Sequence, residues 1–212
     1  MNRLRVGIVG MCLAALLAGC GGGAPTVDVP AVKQEAQQAY EAGDYARAAN
    51  LLATAVAAAP DDAATHFTRG RALANLGDWD GAAAEFREAI RLNPNDADAH
   101  SNLGGVYYEQ GRFDEAVQEF RKAVLLEPKD AVFHYNLGAA YAQQNLLNEA
   151  LGEFLSARQF DPNLAEAYLG IGSIYALQGK AQEAREALER VLQLSDNPAV
   201  RAEAERQLQT LR

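Results

Sequence analysis

Residues 97–130 read ADAHSNLGGVYYEQGRFDEAVQEFRKAVLLEPKD, and this stretch decides the fold. Its first half places Leu103, Val106 and Tyr107 at helical intervals of three and four, the pattern of an amphipathic helix. Gly111 stops that helix by accepting the left-handed backbone angles of a C-terminal cap. A second helix is expected from about Phe113 to Leu126, ended by Glu127-Pro128 because proline cannot continue a helix. Asp96 and Asp130 stand just ahead of successive helices, where a carboxylate accepts from free backbone N–H groups.

Working outward, the same sentence recurs along the chain. Pro60, Pro94, Pro128 and Pro162 are spaced 34 residues apart, and Ala48, Ala82, Ala116, Ala150 and Ala184 keep that step. Gly43, Gly77, Gly111 and Gly179 mark the turns, with Asn145 in the fourth copy, the other residue that tolerates positive φ. Gly70, Gly104, Gly138 and Gly172 form another ladder, and Phe86, Phe120 and Phe154 a further one. A period of this length signals stacked helical units that bury a continuous core only together. Small residues at Gly104 and Ala116 are expected to let the two helix backbones approach, with Tyr107 and Phe120 filling the space beside them.

Leu103-Gly104, Tyr107, Gly111, Ala116, Phe120, Ala123 and Pro128 together resemble the tetratricopeptide repeat. The resemblance implies an all-α, right-handed superhelical solenoid of antiparallel helix pairs. Five repeats are assigned to residues 29–62, 63–96, 97–130, 131–164 and 165–198, followed by a capping helix over 199–212. That last helix sets Val200, Ala204, Leu208 and Leu211 on one face. The likeness weakens at both ends. The first copy has Glu35-Ala36 and Ala39 at places usually apolar, glycine and tyrosine; the fifth has Asp196 where the closing proline belongs. Asn163 with Glu166 is expected to form a capping box before the last repeat.

The N-terminus is of a different kind. Arg3 and Arg5 precede the uncharged run VGIVGMCLAALLA of residues 6–18, too short to span a bilayer comfortably, since a spanning helix needs ~20 apolar residues. A basic start, a short apolar core and small residues at its end describe a secretory signal. Leu17-Ala18-Gly19-Cys20 resembles the lipobox of bacterial lipoproteins, which implies a signal peptide over 1–19 and a lipid on Cys20. Residues 20–28, with Gly21-Gly22-Gly23 and Pro25, are then a flexible tether. The implied location is the bacterial cell envelope, with the body outside the cytoplasm. The covalent lipid is the one non-protein group expected.

The chain has 212 residues, 19 Lys and Arg against 28 Asp and Glu, and a formal charge of −9. A protein that neutralises phosphates needs the opposite balance, so nucleic acid is not an expected partner. Both cysteines, Cys12 and Cys20, lie in the first twenty residues, which leaves no thiol nucleophile or disulfide framework in the body. No phosphate-cradling glycine loop, nucleophile elbow or HExxH motif occurs, and no enzyme is expected. His66, His100 and His134 share one register place, and three histidines are enough for zinc in principle. Equivalent residues of a solenoid, however, are displaced by a helix spacing of ~8–10 Å and point the same way. Packing between helices is the expectation for them, with a metal as the alternative.

The family resemblance also implies that the first helix of each pair lines a concave groove. Lys33, Gln37, Phe67, Arg71, Asn102, Tyr108, Tyr135 and Asn136 occupy groove-facing places. Asn102 and Asn136 match an asparagine that grips the ligand backbone in peptide-binding relatives; the alternative is that they are repeat consensus. Thr68 and Asp98 stand where a carboxylate clamp needs an amide and a lysine, so capture of a free C-terminus by that clamp is not expected. The resulting expectation is a non-catalytic envelope scaffold holding a peptide or helix of a partner protein in its groove. The alternative is a structural protein that assembles with copies of itself, as in pilus or envelope-complex assembly.

Overall fold

The computed structural model describes residues 27–211. The leader, Cys20 and the glycine run of the tether lie outside the described residues. Among those described there are eleven helices and no strand: α1 (Val29–Glu41), α2 (Tyr45–Ala58), α3 (Ala63–Asn75), α4 (Trp79–Leu92), α5 (Ala97–Glu109), α6 (Phe113–Leu126), α7 (Ala131–Gln143), α8 (Leu147–Phe160), α9 (Ala165–Leu177), α10 (Ala181–Leu194) and α11 (Pro198–Thr210). None of them is long and apolar enough to cross a membrane.

The helix boundaries have local causes. Asp62, Asp96 and Asp130 cap α3, α5 and α7, each accepting from a backbone N–H of the first turn at 2.8–3.2 Å. Gly111 has φ +72° and Asn145 φ +59°, so both adopt the left-handed conformation that lets α5 and α7 turn back into their partners. The capping box anticipated at Asn163 and Glu166 does not form. The cap position of α9 falls on Leu164, which has no side-chain acceptor, and the backbone N–H of Asn163 donates to Asp161 Oδ1 at 2.9 Å. The 34-residue register puts the cap one residue later than the asparagine. At the C-terminal end, Pro198 starts α11 at its first turn, with Asn197 as the cap. The proline displaced from the fifth repeat therefore opens the terminal helix.

Each pair packs antiparallel, α1 on α2 through α9 on α10, and each second helix packs on the first helix of the next repeat. The contact within a pair is set by a glycine facing a ring. A Cβ on Gly104 would lie 2.8 Å from the Phe120 ring, and one on Gly138 would lie 2.8 Å from Phe154. At the equivalent places a Cβ would also approach the backbone of the ladder alanine, at 3.2 Å from the Ala150 carbonyl oxygen for Gly138 and 3.4 Å from that of Ala184 for Gly172. Phe86, Leu52, Ile171, Leu188 and Val191 are fully enclosed. Burying each such side chain contributes about 1.5–3 kcal/mol. α11 covers the last pair by placing Val200, Ala204, Leu208 and Leu211 against Leu188 and Val191.

The stack curves in a defined sense. First helices of successive repeats touch, α3 with α5, α5 with α7 and α7 with α9, whereas no comparable contact joins α4 to α6 or α6 to α8. The odd-numbered helices consequently line the inner side and the even-numbered ones splay apart on the outer side.

Candidate functional site

Six residues share one place on the inner helices: Gln37, Arg71, Gly105, Ala139, Ser173 and Gln207. Toward the N-terminus this place is filled, because the Arg71 guanidinium lies 5.0 Å from the centre of the Tyr40 ring and 5.9 Å from that of Phe67. Toward the C-terminus it is filled again, Ser173 Oγ and the Gln207 side chain being joined at 2.9–3.0 Å. Between them stand Gly105 and Ala139. A Cβ added to Gly105 would meet nothing within 4 Å. The groove therefore has open floor at the third and fourth repeats.

Two cavities meet on that floor. One, of about 410 Å³, is lined by Asp98, Ser101, Asn102, Gly105, Glu109, Val132 and Asn136, with Trp79 and Phe86 beneath. The other, of about 230 Å³, is lined by Gly105, Tyr108, Glu109, Tyr135, Asn136 and Ala139. Asn102 donates to the Asp98 carbonyl at 2.8 Å, and Asn136 reaches Ser101 Oγ at 3.4 Å. Those contacts use the amide nitrogens and leave both amide oxygens available as acceptors. Tyr108 is held edge-on against Phe113 and accepts from Gln143 at 3.0 Å. Tyr135 packs on Phe154, and burial, with lesser contributions from Glu166 and Tyr108, pushes its hydroxyl above the ordinary tyrosine range. It remains a neutral donor at physiological pH. Asp98 and Glu109 are exposed on the rim, and neither cavity is lined by a cation.

The eight groove residues anticipated from sequence thus divide into two sets. Asn102, Tyr108, Tyr135 and Asn136 converge on the open floor. Lys33, Gln37, Phe67 and Arg71 lie away from it. Lys33 is committed to Asp62 at 2.6 Å, and Gln37 to Glu41 at 2.8 Å. Phe67 packs on Phe86 and props Arg71. Gly105 and Glu109 were not singled out from sequence. Comparing residue 105 with Arg71 and Ser173 in register is the signal that finds the opening.

The histidine ladder proves to be a set of polar staples. In each case Nδ1 faces a glutamate of the paired helix, His66 with Glu85 at 2.7 Å, His100 with Glu119 at 2.7 Å and His134 with Glu153 at 2.6 Å. Each Nε2 faces the carbonyl of a turn proline, Pro60, Pro94 or Pro128, at 2.9–3.1 Å. Among the described residues no three metal-ligating side chains converge.

Tetratricopeptide-repeat family models match residues 33–97, 67–131, 103–165 and 165–198. The chain belongs to the tetratricopeptide repeat family. Repeats of this family are typical protein–protein interaction scaffolds, generally non-catalytic, that bind peptides or proteins. No match was found among curated protein sequences. Several solved structures share the fold. MamA 41-end from Desulfovibrio magneticus RS-1 is 24% identical, with a TM-score of 0.74, covering 80% of this chain and 96% of that one. PilF of Pseudomonas aeruginosa is 20% identical, with a TM-score of 0.73 and coverage of 86% and 88%. YrrB, described as a tetratricopeptide-repeat protein with an unusual peptide-binding site, is 21% identical, with a TM-score of 0.69 and coverage of 84% and 92%. At these identities the likeness is one of fold.

Proposed function

We propose that this protein is a non-catalytic scaffold of the bacterial cell envelope, anchored by a lipid on Cys20, that holds an extended segment of a partner protein across Gly105. The observation that carries the groove reading is the pair Asn102 and Asn136. Both line the cavity over the one stretch of floor that neighbouring repeats fill, and both keep an amide oxygen ready for a backbone N–H. Tyr108 and Tyr135 offer flat apolar area already fixed by Phe113 and Phe154, so little side-chain entropy is lost on binding. Asp98 and Glu109, with no cation beside them, favour a segment that carries lysine or arginine.

The envelope reading rests on the leader: a basic start, a short apolar run and Leu17-Ala18-Gly19-Cys20. The body is acidic and loses Arg3 and Arg5 with the signal, so acyl chains rather than surface charge would hold it to anionic lipid.

The test is a pull-down from solubilised envelope with the full chain and with a variant carrying Asn102→Ala, Asn136→Ala and Tyr135→Ala. Circular dichroism checks that the variant keeps its helices. A prey captured by the first and lost by the second supports the groove; equal capture by both rejects it. Metabolic labelling with a radioactive fatty acid tests the anchor separately, and label retained by Cys20→Ser would reject it.

A further inference from the structure

A wide cleft lies on the opposite side of the described residues from the groove. It opens between α6 and α8 over α7, has a volume of about 830 Å³, and its walls include Arg121, Lys122, Leu125, Leu137, Tyr141 and Glu153. The outer helices splay here as they do elsewhere, but the equivalent gap one repeat later, over Tyr175, holds only about 410 Å³.

The repeat supplies an internal control. One repeat earlier, Arg87 donates to the Tyr107 hydroxyl at 3.2 Å and Arg112 lies 4.4 Å from the centre of that ring, which closes the gap over the tyrosine. One repeat later, Glu186 and Arg190 line the gap and Lys180 sits 5.3 Å from the Tyr175 ring. At the cleft itself, Tyr141 holds the same place as those tyrosines, but its neighbours differ. Leu146 replaces the stacking cation, and Gly152 and Ser156 replace Glu186 and Arg190. Leu125, where the next repeat has Gln159, is 82% exposed. Four departures from the repeat all make one place wider or more apolar. Arg121, in register with Arg87, forms no hydrogen bond with Tyr141 and no ion pair among the described residues. The carboxylates nearby are engaged, Glu153 with His134 and Glu119 with both His100 and Lys122.

We infer that this cleft is a second docking site, which takes an acidic amphipathic segment of a partner protein. An apolar side chain of that segment seats among Leu125, Leu137 and Tyr141, and a neighbouring carboxylate pairs with Arg121. Charge selects this occupant. The apolar floor would accept any hydrophobic side chain, but the exposed wall of α6 offers Arg121, a cation with no ion-pair partner among the described residues, while Lys122 beside it is held by Glu119. An exposed leucine beside a half-buried tyrosine is the kind of patch that marks an interaction surface. The inner groove has the reverse polarity, so one scaffold would discriminate two segments by charge.

The experiment selects binders from a phage-displayed library of helical peptides, using the full chain and a variant carrying Leu125→Gln and Gly152→Glu. Both substitutions copy residues the next repeat already holds, Gln159 and Glu186, so the fold accommodates them. The expected result is a set of peptides recovered by the full chain and lost by the variant, with Asp or Glu beside Leu, Ile or Phe. A recovered peptide, labelled for fluorescence anisotropy, should bind Arg121→Gln at least 10-fold more weakly and bind the Asn102→Ala, Asn136→Ala variant unchanged. Should the double variant lose its helices, the Arg121→Gln comparison alone decides, since that side chain is exposed. Peptides rich in lysine or arginine, equal binding to Arg121→Gln, or no peptide that distinguishes the variant would overturn the proposal. So would a dimer of the chain that the same two substitutions dissolve, because the occupant would then be a second copy.

Discussion

The Nδ1 atom of His100 lies 2.7 Å from Glu119 Oε2 while its Nε2 lies 3.1 Å from the Pro94 carbonyl oxygen. One imidazole thereby ties three points together: the first helix, the second helix of its pair and the turn leading in. The two places change together along the chain. His pairs with Glu in the second, third and fourth repeats, Tyr168 faces Ala187 in the fifth, and Val32 corresponds to Leu51 in the first. Tyr168 keeps only the contact to its turn, donating to the Pro162 carbonyl at 3.2 Å. His100→Ala should therefore destabilise the fold by about 1–3 kcal/mol, because it removes the buried ring that bridges the Glu119 carboxylate and the Pro94 carbonyl. Urea unfolding measures this, and a double-mutant cycle with Glu119→Ala should show coupling. Additive effects would mean that the ring acts by packing alone.

Gly104 and Gly105 are adjacent in sequence and opposite in consequence. A methyl at residue 104 would press on the Phe120 ring at 2.8 Å, whereas one at residue 105 enters open groove. Gly104→Ala should cost about 1–3 kcal/mol through overpacking. Gly105→Ala should be neutral or stabilising by up to about 1 kcal/mol, since alanine is the better helix former. Thermal melts of the two single variants separate these outcomes; equal destabilisation would contradict the assigned facing of the helix.

Gly105→Arg copies Arg71, its register equivalent. The prediction is a folded protein that no longer captures a groove ligand, since the long side chain would cover the floor between Asn102 and Asn136. Unchanged capture in a pull-down would place the binding elsewhere. The cleft over Tyr141 should be unaffected by this change.

Lys33, with Thr65, holds the Asp62 carboxyl down from 3.8 to about 2. The unfolded chain binds that proton more readily, so the interaction contributes stability above pH 3.8 and loses it as the pH falls through about 2. Lys33→Gln removes the largest cause and should move the Asp62 titration upward, as read by carboxyl NMR. The Thr65 hydroxyl, which donates at 2.7 Å, keeps part of the shift. A titration that does not move would show that the ion pair is not formed in solution.

The helices, their order and their turns were legible in the sequence. Helical periodicity, a capping aspartate such as Asp96, the left-handed residue at Gly111 and the closing Pro128 act over one or two turns of chain, and each is written in adjacent residues. The 34-residue period then carried the reading to the whole solenoid. The exception at Asn163 shows how local that legibility is, since a one-residue offset in register moved the cap to Leu164.

What the tertiary structure alone decided is which shared places are occupied and which are open. The histidine ladder was visible, but its partners Glu85, Glu119 and Glu153 were hidden among many surface carboxylates until the paired helix brought them within hydrogen-bond reach. Lys33 and Arg71 had groove-facing register, yet one is taken by Asp62 and the other lies on Tyr40 and Phe67. The cleft over Tyr141 depends on Leu125 of α6, Leu146 in the turn before α8, and Gly152 and Ser156 of α8, residues that no local pattern connects. Helix formation depends on near neighbours in sequence. An opening depends on the summed lengths of side chains about one repeat apart, and only packing adds them up.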